Sequence, residues 1–407
     1  MALDALGILT SITVILLIGL IMSIISSKLK IPDVLLLIIV GMGFGAIKYK
    51  GAPLIEFPVI FLTSISILAL ATIIFDSTSR IKLREFDTFS IRALKLTFLF
   101  LLLNIIFLGI LTKFLFALPI SLGLLFASIM MGTAPEITLA LLSGAKQRTI
   151  EILKLESIIN TPLTVLFPFL LLDLMQDVEF TVISTLIDQL GPFLAKFAAG
   201  IGSGILVGII LFKVIKQRVS KTYMPLTIIV AALLAYVLAE NIGGSGVLAA
   251  TTLGLFVGNI YTKHKIQEVL TFESLLAKSL FILVFVLIGV VIKIPMNKEF
   301  FISAGILFLV YVVIRYVSVA LTLRGQQNGF SFKEKLFMTL NMPKGIAVAV
   351  VAFTLAAYNI PGTANFIPGI KTVLDLTLLF MVATIVLSSI SMFFAKRLVG
   401  EAPTVQK

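Results

Sequence analysis

"MGTAPE", Met131 to Glu136, stands in the middle of an apolar run that extends over residues 119–144. Pro135 lacks the backbone N–H that a helix needs, and Gly132 has the freedom to leave helical geometry. A helix broken inside hydrocarbon leaves backbone groups that lipid cannot satisfy, so such a break has to line a cavity or be buried in protein. A second break, "NMPKG" (Asn341 to Gly345), interrupts the run 332–358. The pair decides the reading of the fold once both runs are recognised as membrane spans.

Composition supplies that recognition. The 407 residues are 59% hydrophobic and 13% charged, against roughly half and roughly a quarter in soluble domains. The chain reads as an all-α polytopic membrane protein. At about 20 apolar residues per crossing, thirteen spans are expected. They cover 5–27, 31–47, 58–79, 89–113, 119–144, 150–172, 191–215, 222–240, 244–261, 268–292, 299–323, 332–358 and 371–395. The opening "MALDALGILT" carries Asp4 and no basic region, which argues against a cleaved signal peptide.

The net charge of +12 reads as the basic bias of cytoplasmic loops, not as a nucleic-acid surface. With thirteen spans, 22 of the 32 basic residues fall on one side and 6 on the other. That split places the N-terminus outside and the C-terminus in the cytoplasm of a multi-pass protein in the cell membrane. There is no cysteine, hence no disulfide or thiolate metal site. No ATP-binding signature, zinc pattern or catalytic triad is present, which argues against a pump or an enzyme. No cofactor is expected.

The breaks lie in spans 5 and 12, seven spans apart. If spans 1–6 (residues 1–175) and 8–13 (221–407) are two repeats joined by span 7 (176–220), the breaks occupy the same place in each. Seven is odd, so the repeats are inverted. Paired broken helices in inverted repeats point to the binding site of a secondary transporter.

"LESIINTPLT" (Leu155 to Thr164) puts polar groups inside span 6. Glu156 and Asn160 are four apart, as are Ser157 and Thr161, with Thr164 three further on. They share one helical stripe. Oxygen-bearing groups in that pattern suit a hard monovalent cation or a proton. Ser, Thr and Asn alone would equally serve as interhelical glue; Glu156 tips the balance, since a buried carboxylate needs a partner. Lys344, beside Pro343 in the second break, is the expected partner. Asp76, ending span 3, is either a helix-end residue in water or part of the ion route. Glu136 is either a cap on the second half-helix or a cation or proton site. Lys196, Lys278 and Arg315 are expected to snorkel or pair locally. Gly200, Gly204 and Gly208 in "GIGSGILVG" mark a helix-packing face. His264, the sole histidine, reads as a solvated loop residue.

The chain resembles the monovalent cation:proton antiporter superfamily, most closely its NhaP-like sodium/proton branch. "ESIINT" is similar to the family's Glu-Ser-x-x-Asn-Asp motif, and "MGTAPEI" to its Thr-Asp-Pro break. "GGSGVLAATTLGLFVGN" is similar to its Gly-Ser-Gly-Val-Leu-Ala segment. "FSFKEKLFMTLNMPKGIAVAV" resembles the stretch that ends in its Arg-Gly motif. The resemblance implies an NhaA/NhaP-like fold of two inverted six-helix repeats with crossed broken helices. It implies a transport core of spans 3–6 and 10–13 and a homodimer. Thr133 matches a ligand threonine, Glu156 the paired glutamate, Lys344 the basic residue, Ser157 a serine near the ion, and Asn160 the asparagine of electroneutral members. Asp76 matches an acidic residue near the ion path. The implied Na+ ligands are Asp76, Thr133, Glu136, Ser157 and Thr161.

Two positions depart from that pattern. Ala134 and Thr161 stand where the family has aspartates, and neither side chain titrates in the useful range. The leading expectation is exchange of a monovalent cation, Na+ first, for protons by alternating access, with Asp76 or Glu136 as a displaced carboxylate. The alternatives are transport of K+ or a small anion on the same fold, and a non-transporting or engineered inactive relative.

Overall fold

In the computed structural model, residues 5–29, 31–49, 52–53, 57–79, 88–134, 147–177, 183–218, 223–260, 278–292, 294–324, 329–358, 367–395 and 398 are described. They are almost wholly helical. The first repeat expected from the sequence begins with α1 (Ala5–Leu29), α2 (Asp33–Ala46) and α3 (Val59–Ser79), with a two-residue hairpin, Lys48–Tyr49 against Ala52–Pro53, between α2 and α3. Then follow α4 (Thr88–Leu103), a π-helical turn (Asn104–Leu108), α5 (Gly109–Phe116), α6 (Ile120–Ile129) and α7 (Gln147–Asp177). After α8 (Ile183–Arg218) come α9 (Met224–Asn241), α10 (Gly246–Ile260), α11 (Lys278–Val291) and α12 (Lys298–Thr322). The last elements are α13 (Phe332–Leu340), α14 (Ile346–Tyr358) and α15 (Ile370–Phe393).

Seven of these helices, the α4–α5 run counted as one, are long and apolar enough to cross a membrane, and six shorter apolar helices accompany them. Their outer faces are as greasy as their inner ones: Ile60, Phe114, Leu309 and Phe393 all point outward. Water would not tolerate so much contiguous apolar surface, whereas lipid tails solvate it. The backbone groups are satisfied within the helices, as hydrocarbon requires.

Both expected breaks are present. α6 stops at Ile129, and the chain is non-helical through Gly132, Thr133 and Ala134. α13 stops at Leu340, and Asn341 to Gly345 separates it from α14. The two unwound stretches meet: the Ala134 N–H donates to the Pro343 carbonyl at 2.8 Å. Each break thereby satisfies a backbone group that the other's lost helix turn had freed.

Close backbone packing fixes the helices around this point. A Cβ on Gly204 of α8 would lie 2.6 Å from the Ala249 carbonyl of α10, so the expected glycine face is buried against a helix of the same chain. On the other side of α10, a Cβ on Gly258 would lie 2.2 Å from the Ser79 carbonyl of α3. α13 begins with a capping box, the Ser331 hydroxyl accepting from the Glu334 N–H and the Glu334 carboxylate from the Ser331 N–H. The same carboxylate takes both Nη2 contacts of Arg148 on α7, at 2.9 and 3.0 Å, which ties the starts of α7 and α13 together.

Candidate functional site

The polar residues of α7 rise in the order the stripe predicts. Glu156, Ser157, Asn160 and Thr164 are all buried, and Thr161 is partly buried. The Thr161 hydroxyl donates to the Ser157 carbonyl (2.6 Å) and the Thr164 hydroxyl to the Asn160 carbonyl (2.7 Å). Each hydroxyl thus satisfies its hydrogen locally and keeps lone pairs for another group.

Glu156 does not pair with Lys344. Its two oxygens accept from Nη1 and Nη2 of Arg315 on α12, the second at 2.7 Å, and both side chains are wholly buried. The expectation that Arg315 would snorkel or pair locally is therefore overturned as well. Arg315 stands seven residues before the helix end at Thr322, about 10 Å along the axis at 1.5 Å per residue. The planar guanidinium forks onto both carboxylate oxygens, which a lysine cannot do. The ring of Phe100 covers the guanidinium at 5.0 Å.

Lys344 takes a different set of partners. Its Nζ donates to the carbonyls of Met130 (2.6 Å) and Gly132 (2.5 Å) and contacts the Tyr311 hydroxyl of α12. Tyr311 in turn donates to the Met130 carbonyl at 3.0 Å. Lys344 is wholly buried. Its Nζ sits at the C-terminal end of α6, where unsatisfied carbonyls make the helix end negative. The amine thus caps the broken helix, and the two breaks are joined by a side chain as well as by backbone.

Beside this cage lies a small cavity lined by Gly132, Thr133, Ala134, Asn160, Thr161, Thr164, Gly345, Ile346, Ala347 and Val348. Its volume of about 20 Å³ suits a single water molecule or a bare monovalent ion. The Asn160 amide nitrogen donates to the Thr133 hydroxyl at 2.6 Å. Asn160 Oδ1 is buried and has no hydrogen-bond partner. An acceptor left in that condition costs on the order of 1–3 kcal/mol. A donor or a cation in the cavity removes the cost.

Of the site residues read from the sequence, the structure gathers Thr133, Ala134, Asn160 and Thr161 round one cavity, with Lys344 against its wall. Ser157 is buried one turn away on α7 and does not line the cavity. Asp76 is partly buried near the end of α3, outside the lining, with its carbonyl accepting from the Ser79 hydroxyl at 2.8 Å. Glu136 and His264 lie outside the described residues. Among the described residues, no group of three His, Cys, Asp or Glu side chains could hold a metal. Sequence reasoning missed Arg315 and Tyr311; the signal for Arg315 was its depth in the span, where a charge is costly.

Two broken spans that meet at a polar cavity, in a chain of apolar helices, define the class: a multi-span membrane protein built as a secondary transporter is built. The chain belongs to the family described as sodium/hydrogen exchanger, transmembrane, which matches residues 12–396. It is 26% identical over 264 residues to the K(+)/H(+) antiporter NhaP2 of Shewanella sp. (strain ANA-3), covering 62% of this chain and 44% of that protein. The chain thus spans less than half the length of that relative. It is 25% identical over 353 residues to the probable Na(+)/H(+) antiporter 2 of Methanocaldococcus jannaschii, covering 82% and 81% of the two chains. The fold matches the structure of the sodium proton antiporter MjNhaP1 from Methanocaldococcus jannaschii with a TM-score of 0.78. That match has 22% identity and covers 97% of this chain and 99% of the other.

Proposed function

We propose that this chain exchanges a monovalent cation for protons across the cell membrane by alternating access. Family membership and the activities named for its relatives support the reaction class. The observation that carries the cation is the unpartnered Asn160 Oδ1, on a residue that lines the cavity together with Thr133, Thr161 and Thr164. Such neutral oxygens suit Na+ or K+ without the carboxylates that Ala134 and Thr161 replace. Ser157, Asp76 and Glu136 are assigned to the route by which the cation reaches and leaves the cavity.

The topology belongs to the same proposal: thirteen crossings, N-terminus outside and C-terminus inside, with residues 1–175 and 221–407 as inverted repeats joined by 176–220. Spans 3–6 and 10–13 form the moving core, and the protein works as a homodimer. Reconstituted vesicles with an acidic interior and a pH-sensitive dye test the reaction. Na+, Li+ or K+ should collapse the gradient whatever the anion; a gradient indifferent to all three cations refutes the proposal.

A second reading has its own observation. Ile346, Ala347 and Val348, the first turn of α14, line the cavity, and a helix N-terminus favours an anion. A gradient that follows the anion instead of the cation would select it.

A further inference from the structure

We propose that Lys344 carries the proton that is exchanged for the cation, an inference that rests on the antiport reading. Exchange needs a group that gives up its proton when the cation arrives. Ala134 and Thr161 cannot serve, and the Glu156 carboxylate is held by both Nη atoms of Arg315. A guanidinium keeps its proton, whereas an amine can release one. Among the described residues at the crossing, Lys344 is the basic group not committed to a carboxylate.

The cage around Nζ fits both forms of the amine. An ammonium has three N–H donors, matched by the carbonyls of Met130 and Gly132 and the Tyr311 hydroxyl oxygen. A neutral amine has two N–H donors and one lone pair. It keeps both carbonyls, and the Tyr311 hydroxyl, which donates to Met130 in the first state, turns to donate to Nζ. Every polar atom of the cage stays satisfied, so the proton can leave without stranding a buried group.

The cage also shares a wall with the cavity. Gly132 accepts from Nζ and lines the cavity, and Gly345 and Ile346, which follow Lys344, line it too. Two positive charges across one residue, away from water, exclude each other. A cation reaching the cavity breaks one Nζ–H bond, and the proton passes to water on the side to which the cavity is open. When the cation leaves on the other side, the lone pair takes a proton from water there. One positive charge moves each way and no redox partner is involved. Among the described residues, the charged groups that act on Lys344 are Arg315 on α12 and Glu156 on α7, with the Tyr311 hydroxyl in contact with Nζ. α15 presents the Thr384 hydroxyl to the Lys344 backbone N–H, and α4 the Phe100 ring to Nζ.

The test compares purified wild type with Lys344→Arg and Lys344→Gln, using KCl and NaCl against choline chloride. Wild-type cation affinity should rise about tenfold per pH unit where proton and cation compete, one proton being released for each cation bound. Lys344→Gln should bind with an affinity that varies less than twofold across the same range, Lys344→Arg, whose charge stays, should bind at least tenfold more weakly at every pH, and neither should couple cation to proton flux in vesicles. A variant that keeps the tenfold slope, or coupled exchange, overturns the proposal and leaves antiport standing with another carrier such as Asp76. A wild type without cation-dependent exchange overturns the antiport reading and this proposal with it. If neither variant folds, Tyr311→Phe, which keeps the ring, should move the midpoint of the pH dependence; an unmoved midpoint overturns the assignment.

Discussion

Arg315 on α12 and Glu156 on α7 form a wholly buried ion pair in which both guanidinium Nη atoms engage both carboxylate oxygens. The pair joins a helix of the first half of the chain to a helix of the second, next to the point where the two broken spans meet. Burying two charges is expensive, and breaking such a pair is worse than never having made it, because one charge is left alone in a low dielectric.

Single substitutions Glu156→Gln and Arg315→Met should therefore each destabilise the protein by about 3–5 kcal/mol. The double variant should recover most of that loss, since neither residual charge is stranded. With no tryptophan and 7 tyrosines in the chain, the loss of the monodisperse elution peak on heating in detergent is the practical measurement. Additive losses in the double variant would contradict the coupling.

Asn160 holds Thr133 in place through a 2.6 Å bond while its own oxygen stays unpartnered. Asn160→Ala removes both the positioning donor and the acceptor. Cation affinity should fall by tenfold or more, corresponding to about 1.4 kcal/mol or more, with little change in melting temperature. Calorimetric titration with NaCl and KCl measures it, and an unchanged affinity would move the cation out of this cavity.

Thr161 lines the cavity without a charge. Thr161→Asp supplies one, so the cavity should hold a monovalent cation at least tenfold more tightly above the carboxylate's titration and lose that gain below it. The same titration repeated in acid checks both halves of the expectation.

Arg148 and Glu334 tie the starts of α7 and α13 with a forked contact, Glu334 being nearly fully buried and Arg148 partly exposed. Glu334→Ala should cost about 1–3 kcal/mol by removing the capping-box acceptor and the forked contact to Arg148. Arg148→Met should cost less, because Glu334 keeps its bond from the Ser331 N–H. Thermal melts of the two variants rank them.

Orientation is open to direct labelling, because the chain contains no cysteine. Met296→Cys, at an exposed position before α12, should react with a membrane-impermeant maleimide from outside intact cells. Lys333→Cys, exposed at the start of α13, should react only after the cells are opened. The reverse pattern would invert the topology.

The breaks were legible in sequence because glycine and proline act locally, on their own backbone, and the apolar runs around them are long. The stripe Glu156–Asn160–Thr164 was legible for the same reason, since helical spacing fixes which residues share a face. The partner of Glu156 was not. Arg315 and Lys344 lie 159 and 188 residues beyond it in the chain, and both are basic residues inside apolar runs. Choosing between them depends on which helix lies within reach and on whether the carboxylate meets a fork or a point charge.

Sequence by itself determined that this is a many-helix membrane protein with two broken spans and a polar stripe, through composition and short-range periodicity. Tertiary structure alone decided that Arg315 takes Glu156, that Lys344 caps α6 against Met130, Gly132 and Tyr311, and that Thr133, Asn160, Thr161 and Thr164 share one cavity. Helix-to-helix distances settle those pairings. They arise from how apolar faces and close-packed glycines seat the helices together, which no stretch of the chain encodes on its own.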